Sequence, residues 1–293
     1  MKRLFRFVAC AAAAVLAAPA GATSILFVGN SYTYGDPAGG APLVRAYRPD
    51  LVKDLNGTGI GGVPALFKAM TMEAGLHYAV SLETVPAVGV DHHYTAKYNT
   101  IVRPWDMVLL QSYSTLDAAR PGNPELLIKY TGLLAQALRG QNPHVDIRLV
   151  STWSRADQAY TWRGHWHGEP IDRMALDVRK GYNTARAAVP FIRAVIPVGE
   201  AWNRAIAAGV ADANPYDGID AGKINLWAPD SYHGSVYGYY LEALTIFGNV
   251  TGRDPRSLGG KDAVAADLGI APATASALQG FAADQLAAEK RAP

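Results

Sequence analysis

Three residues raise a chemical question. Ser31 sits at the end of Ser24-Ile25-Leu26-Phe27-Val28-Gly29-Asn30-Ser31, just behind four apolar side chains, and Asp230 and His233 stand three apart in Asp230-Ser231-Tyr232-His233, far down the chain. A serine hydroxyl is a weak nucleophile near neutral pH. It attacks a carbonyl only when a base takes its proton and a third group orients that base. His233 has the chemistry of the base. Asp230, one helical turn before it, can curl back to the imidazole N–H and stabilise the imidazolium that forms. At a strand-to-loop turn Ser31 would offer both its hydroxyl and its own backbone N–H, the latter as a donor to an oxyanion. Gly29 lets the chain turn tightly and a substrate approach. Alone, Ser31 reads equally as a loop serine or helix cap and His233 as a surface or capping histidine. Their joint occurrence, after a strand and before the last helices, points to acyl transfer or hydrolysis.

The elements that must position these residues alternate. Apolar runs at Ile25–Val28, Tyr78–Val85, Asp106–Gln111, Ile147–Thr152 and Arg193–Val198 read as strands. Helical patterns occupy Val63–Glu73, Pro124–Arg139, Asp172–Ala188, Glu200–Ala208, about Ser235–Phe247 and Pro272–Ala288, with prolines in first turns and glycines as stops. Strands alternating with helices imply right-handed crossovers and a parallel sheet. The expectation is an α/β fold, a three-layer α/β/α sandwich around a five-stranded parallel, flavodoxin-like sheet. Ligands gather at the carboxyl ends of such strands, where Ser31 lies. Insertions near 34–62 and 154–170 are expected to overhang that rim.

The run Ile25-Leu26-Phe27-Val28-Gly29-Asn30-Ser31-Tyr32-Thr33 resembles the first block of SGNH/GDSL hydrolases, in the variant with Asn before the serine, and Asp230-Ser231-Tyr232-His233 resembles their last block, D-x-x-H. The resemblance spans about Thr23 to Gly252. It implies ester hydrolysis with Ser31, Asp230 and His233 as the triad and no cofactor. In that superfamily a glycine after the second strand and an asparagine after the third help hold the oxyanion. Gly89, in Val88-Gly89-Val90, matches the glycine through its N–H. The third strand ends in Leu110-Gln111-Ser112-Tyr113-Ser114, with no Gly-x-Asn-Asp. The Gln111 side-chain amide is the expected replacement donor, with Ser112 and Ser114 as rivals. The expected oxyanion hole is therefore Ser31, Gly89 and Gln111.

Other residues weigh in less. His92-His93 and His165-x-His167 lie near Asp91 and Glu169, but neither has the H-E-x-x-H spacing, so surface or supporting histidines are expected and no metal site. Trp162 and Trp166, in the polar insertion, are candidates for substrate-binding walls, whereas Trp202 reads as core. Glu200 suits a helix N-terminus. Asn56-Gly57-Thr58 and Asn249-Val250-Thr251 match glycosylation sequons, and the glycines of 57–62 read as a flexible loop, not a phosphate cradle.

Composition sets the outer bounds. The chain has 293 residues, 49% hydrophobic and 18% charged, enough for one domain with a large core, and its 29 glycines and 18 prolines imply many turns. Residues 1–22 read as a signal peptide, with Lys2, Arg3 and Arg6 ahead of the apolar stretch Phe7–Ala18 and cleavage after Ala22, leaving 23–293 as the hydrolase domain. The formal net charge is +2 and this leader holds three basic side chains and no acid, so the remainder is near −1 and gives no support for nucleic-acid binding. The leader also takes the only cysteine, Cys10, excluding disulfides and thiolate chemistry from the mature chain. The expected protein is exported, to the periplasm or beyond the cell, with no stable membrane insertion after cleavage. Its expected partner is a small-molecule or polysaccharide ester, from which it removes acetyl or other short acyl groups. A lipase or thioesterase of the same fold, an acyltransferase to a glycan, and a catalytically weak carbohydrate-binding module are the alternatives.

Overall fold

The structure, a computed structural model, describes residues 21–36 and 41–291, so the expected signal peptide lies almost wholly outside it. Six parallel strands, β1 (Thr23–Gly29), β2 (Lys53–Asp54), β3 (Tyr78–Thr84), β4 (Met107–Leu110), β5 (Asp146–Ser151) and β6 (Ile192–Pro197), form one sheet in the order β2-β3-β1-β4-β5-β6. Without β2 this is the flavodoxin-like order. The chain leaves β1 to one side for β3 and returns past it to β4, which creates the crevice where such sheets bind ligands.

β1 is buried along most of its length because both of its faces are covered. Successive side chains alternate: Ile25 and Phe27 join one core layer, Leu26 and Val28 the other. The first layer packs beneath helices Gly62–Glu73, Val198–Ala207, Val236–Thr251 and Pro272–Arg291; the second beneath Val90–Ala96, Glu125–Gln141 and Arg173–Ala188. The result is the expected three-layer sandwich.

The sheet has one strand more than expected. β2 lies inside the segment 34–62 and is two residues long, Lys53 and Asp54, pairing with Ser81 and Leu82 of β3 at the sheet edge. It has no apolar pattern to reveal it. Its place is set by tertiary pairing and by the Asp54 carboxylate, which accepts the N–H groups of Asn56 (2.9 Å) and Thr58 (2.7 Å). The segment 154–170 contains a short helix, Ala156–Tyr160, followed by turns. No helix among the described residues is long and apolar enough to cross a membrane.

Candidate active site

The Gly29-Asn30-Ser31 turn is held from beneath. A Cβ on Gly29 would run into Thr33 Oγ1 and stand 2.7 Å from Gln111 Oε1, so packing requires glycine here. Asn30 caps the short helix Ser31–Tyr34: its Oδ1 accepts the Tyr32 N–H at 3.1 Å. Its Nδ2 donates to the carbonyls of Val88 (2.9 Å) and Ser112 (3.2 Å), beyond the ends of β3 and β4. A carboxylate could cap the helix but could not donate to two carbonyls. This explains why the block carries Asn before the serine. The Ser31 N–H, in the first turn of that helix, has no partner among the described residues.

The histidine loop is as tightly specified. Asp230 Oδ1 accepts the N–H groups of Tyr232 (3.0 Å) and His233 (2.9 Å), while Oδ2 contacts His233 Nδ1 at 2.6 Å. Ser231 adopts a left-handed φ of 57°, which closes this turn. The Tyr232 carbonyl accepts from Tyr32 Oη and Trp153 Nε1, each at 3.2 Å, and Tyr32 stacks on Trp153 with centroids 4.2 Å apart. The next helix, Val236–Thr251, is capped by Ser235. Ser31, Asp230 and His233 thus meet: His233 Nε2 lies 2.9 Å from Ser31 Oγ, across 202 residues of sequence. Burial alone would raise the Asp230 carboxyl. The hydrogen bonds from the His233 ring and from the two backbone N–H groups outweigh it and hold that carboxyl below its ordinary value. A second carboxylate, Asp36, stands 3.8 Å from His233 Nε2.

Gly89 precedes helix Val90–Ala96, and the Asn30 bond to Val88 ties this segment to the nucleophile turn. A Cβ at Gly89 would lie 2.5 Å from the Tyr113 ring, so the position admits only glycine, with the phenol beside its N–H. Gln111 departs from expectation. Its Oε1 accepts from the Asn30 N–H (2.9 Å) and Thr33 Oγ1 (3.2 Å), its Nε2 donates to the Ser112 carbonyl, and it is buried. The amide braces the turn from inside the protein and does not face a substrate. Of the rivals, Ser112 Oγ accepts the Val90 N–H (3.3 Å) and Ser114 Oγ accepts from Arg155 Nη1 (3.4 Å).

A cavity of about 230 Å³ is bordered by Asn30 and Tyr232, the chain neighbours of Ser31 and His233, and by Tyr113, Ser114, Arg155 and Gln158 among others. The Arg155 guanidinium lies 3.6 Å from the centre of the Tyr232 ring, which also packs against the His233 imidazole at 4.1 Å and the Tyr32 ring at 5.6 Å, and Asp157 neutralises the guanidinium through contacts of 2.9 and 2.6 Å. Neither expected tryptophan wall lines this cavity. Trp166 is 4% exposed and donates its indole N–H to Asp177 (3.0 Å), as a core residue does; Trp162 is 75% exposed beneath Arg163. An aromatic pattern does not distinguish a wall from a packed or solvent-facing ring. His165 and His167 are exposed, whereas His93 is fully buried against Glu83. Glu200 pairs with Arg179 at 2.8 Å. Arg155, Tyr113 and Asp36 carry no signal in the sequence, because single polar or aromatic residues in loops have no period; their contacts in space with Tyr232, Gly89 and His233 are what mark them.

Ser31 thus lies beyond a central strand and the Asp230–His233 loop ahead of a late helix, on a parallel sheet of flavodoxin-like order. Similar solved structures carry the same fold. A DUF4886 family protein from Bacteroides uniformis matches over 90% of this chain and 94% of its own, at 17% identity and a TM-score of 0.58. A candidate GDSL-like lipase from Parabacteroides merdae matches over 79% and 96%, at 17% identity and 0.53. A candidate SGNH hydrolase from Slackia heliotrinireducens matches over 78% and 100%, at 18% and 0.51. No family model matches the chain, nor does any curated protein sequence. At such identities the shared property is the fold, and the chemistry must be argued from this chain's own residues.

Proposed function

We propose that the protein is an exported serine ester hydrolase working through an acyl-enzyme. One observation carries this reading: the unbroken relay from Ser31 Oγ to His233 Nε2 at 2.9 Å and from His233 Nδ1 to Asp230 at 2.6 Å. With its Nδ1–H on a carboxylate, the imidazole presents a bare Nε2 to the serine proton. Ser31 Oγ attacks the ester carbonyl carbon as that proton passes to His233. Asp230, and at longer range Asp36, stabilise the charge that develops on the ring. The Ser31 and Gly89 N–H groups receive the oxyanion, Gly89 after the Tyr113 phenol gives way. His233 returns the proton to the leaving alcohol. Water, activated by the same base, then releases the acid from Ser31.

The substrate reading is a short acyl group on a polar alcohol such as a carbohydrate. The small cavity bordered by Asn30 and Tyr232, one residue from Ser31 and His233, is walled mainly by amide, hydroxyl and guanidinium groups, which suit an acetyl group and a hydroxylated leaving group better than a long alkyl chain. Purified protein should label at Ser31 with a fluorophosphonate and turn over acetyl esters, sugar acetates included, faster than long-chain esters. Ser31→Ala should abolish both activities with the fold intact. Turnover retained in Ser31→Ala refutes the nucleophile. A preference for long acyl chains refutes the substrate class, and an unlabelled, inactive wild type favours a binding module.

A further inference from the structure

Beneath the nucleophile turn lies a pair of titratable groups that the relay does not use. Glu83, on β3, and His93, on helix Val90–Ala96, both have side chains 0% exposed, with His93 Nδ1 2.5 Å from Glu83 Oε2. Neither atom has another polar partner among the described residues. On the far side of the ring, Nε2 lies 3.1 Å from the Gly29 carbonyl, two residues before Ser31. A carbonyl only accepts, so Nε2 must carry a proton. If Nδ1 and Oε2 were both bare, two lone pairs would face each other without water in between. A second proton therefore lies between them, on one atom or the other. Glu83 Oε1 is committed elsewhere, accepting from Asn56 Nδ2 (3.1 Å), with Lys97 Nζ at 3.9 Å.

We propose that Glu83 and His93 are positioning residues of the active site. The proton held between Nδ1 and Oε2 fixes the imidazole with its Nε2–H on the Gly29 carbonyl, and so holds the helix that follows Gly89 in register with the turn that carries Ser31. Two backbone donors that must converge on one oxyanion arise from different strand ends, β1 and β3. The Glu83–His93 pair spans them, alongside the Asn30 bond to Val88 and the Val85 N–H, which donates to the same Gly29 carbonyl at 3.1 Å. The kinetic consequence rests on the esterase reading; the location of the proton does not.

The test uses the whole protein and two substitutions. Glu83→Gln can preserve the arrangement: its amide N–H₂ donates to Nδ1, keeps the proton on Nε2, and leaves Oε1 to accept from Asn56. Glu83→Leu cannot, because the imidazole then has no partner to fix its tautomer. With a short acyl ester, kcat of Glu83→Leu should fall about 100-fold, as for a reacting group displaced by about 1 Å, with KM little changed. Glu83→Gln should stay close to wild type. Proton NMR of histidine-¹⁵N-labelled protein should show two far-downfield signals, one from each histidine–carboxylate contact, each split by ¹⁵N where its proton rests on the ring nitrogen. Glu83→Gln should remove one and leave the other. Wild-type kcat in Glu83→Leu, equal losses in both variants, or an effect confined to KM overturns the positioning role. Should Glu83→Leu not fold, the spectrum decides: a wild-type signal that does not depend on Glu83 overturns the shared proton. A protein that hydrolyses no ester yet keeps both signals defeats the esterase reading alone.

Discussion

Each atom of the Asp230 carboxylate has a separate task. Oδ1 holds the loop by accepting two backbone N–H groups, and Oδ2 holds the imidazole. Asp230→Asn separates the two. The amide oxygen still caps the loop, but the amide N–H₂ faces Nδ1 and forces the imidazole proton onto Nε2, where it points at Ser31 Oγ instead of accepting from it. The fold should survive and kcat should fall by roughly 10³–10⁴-fold, as expected for the wrong tautomer. The same carboxylate makes stability depend on acid. Its folded value lies below the ordinary 3.8, so its contribution is complete above that value and is lost as pH falls through the lower, folded one. Denaturant titrations between neutral and strongly acid pH should show wild type losing stability relative to Asp230→Asn on the acid side. Parallel curves would mean that the carboxylate is not preferentially ionised in the folded state. The three members of this relay were legible from residue type and chain order. The misplaced donor, Gln111, was not, because a strand-end amide looks the same whether it points outward or, as here, inward to Asn30 and Thr33.

Among the elements, helix Val236–Thr251 presents a conflict with its surroundings. It follows the histidine loop and is buried through most of its length, yet Glu242 lies in its middle, 1% exposed, with Oε2 lacking any hydrogen-bond partner among the described residues. Burial pushes this carboxyl well above its ordinary value of 4.5. The unfolded chain therefore releases a proton that the folded chain retains. Stability suffers no penalty below the ordinary value and an increasing one as pH rises above it. Glu242→Leu should stabilise the protein by about 1–3 kcal/mol near neutral pH, through removal of a buried polar group without a partner. The gain should shrink as pH falls below the ordinary carboxylate range, and a gain independent of pH would show that packing, not ionisation, is at fault. This helix was readable as an apolar run with a serine cap ahead of it. The other long helices and five strands were readable for the same reason: they bury a face, and burial imposes a period. β2 and the helices Val90–Ala96 and Ala156–Tyr160 were not, because they are short, polar or both, and tertiary contacts hold them.

Over the whole molecule, the site depends on bringing together segments from opposite ends of the chain. β1 supplies Ser31 from the centre of the sheet, and the loop ahead of Val236–Thr251 supplies His233. That helix is in turn clamped from outside. Tyr240 Oη donates to Asp262 Oδ2 at 2.6 Å, Gln279 Nε2 reaches the Tyr240 hydroxyl at 3.1 Å and the Gly259 carbonyl at 3.0 Å, and Asp262 Oδ1 caps helix Ala263–Asp267 through Val264 (2.8 Å) and Ala265 (3.1 Å). None of these groups touches the triad, so their influence should be felt through global stability and not through the reaction. Asp262→Ala removes a helix cap and leaves buried hydroxyl and amide donors without an acceptor, a loss of about 2–4 kcal/mol. In a chain of this size that lowers the melting temperature by about 5–10 °C. At 25 °C kcat per folded molecule should equal wild type, and the midpoint of thermal inactivation should fall by the same interval as the melting temperature. A reduced kcat in fully folded Asp262→Ala would instead show that the clamp reaches the histidine loop through Val236–Thr251, making the helix part of the catalytic geometry and not only of its support.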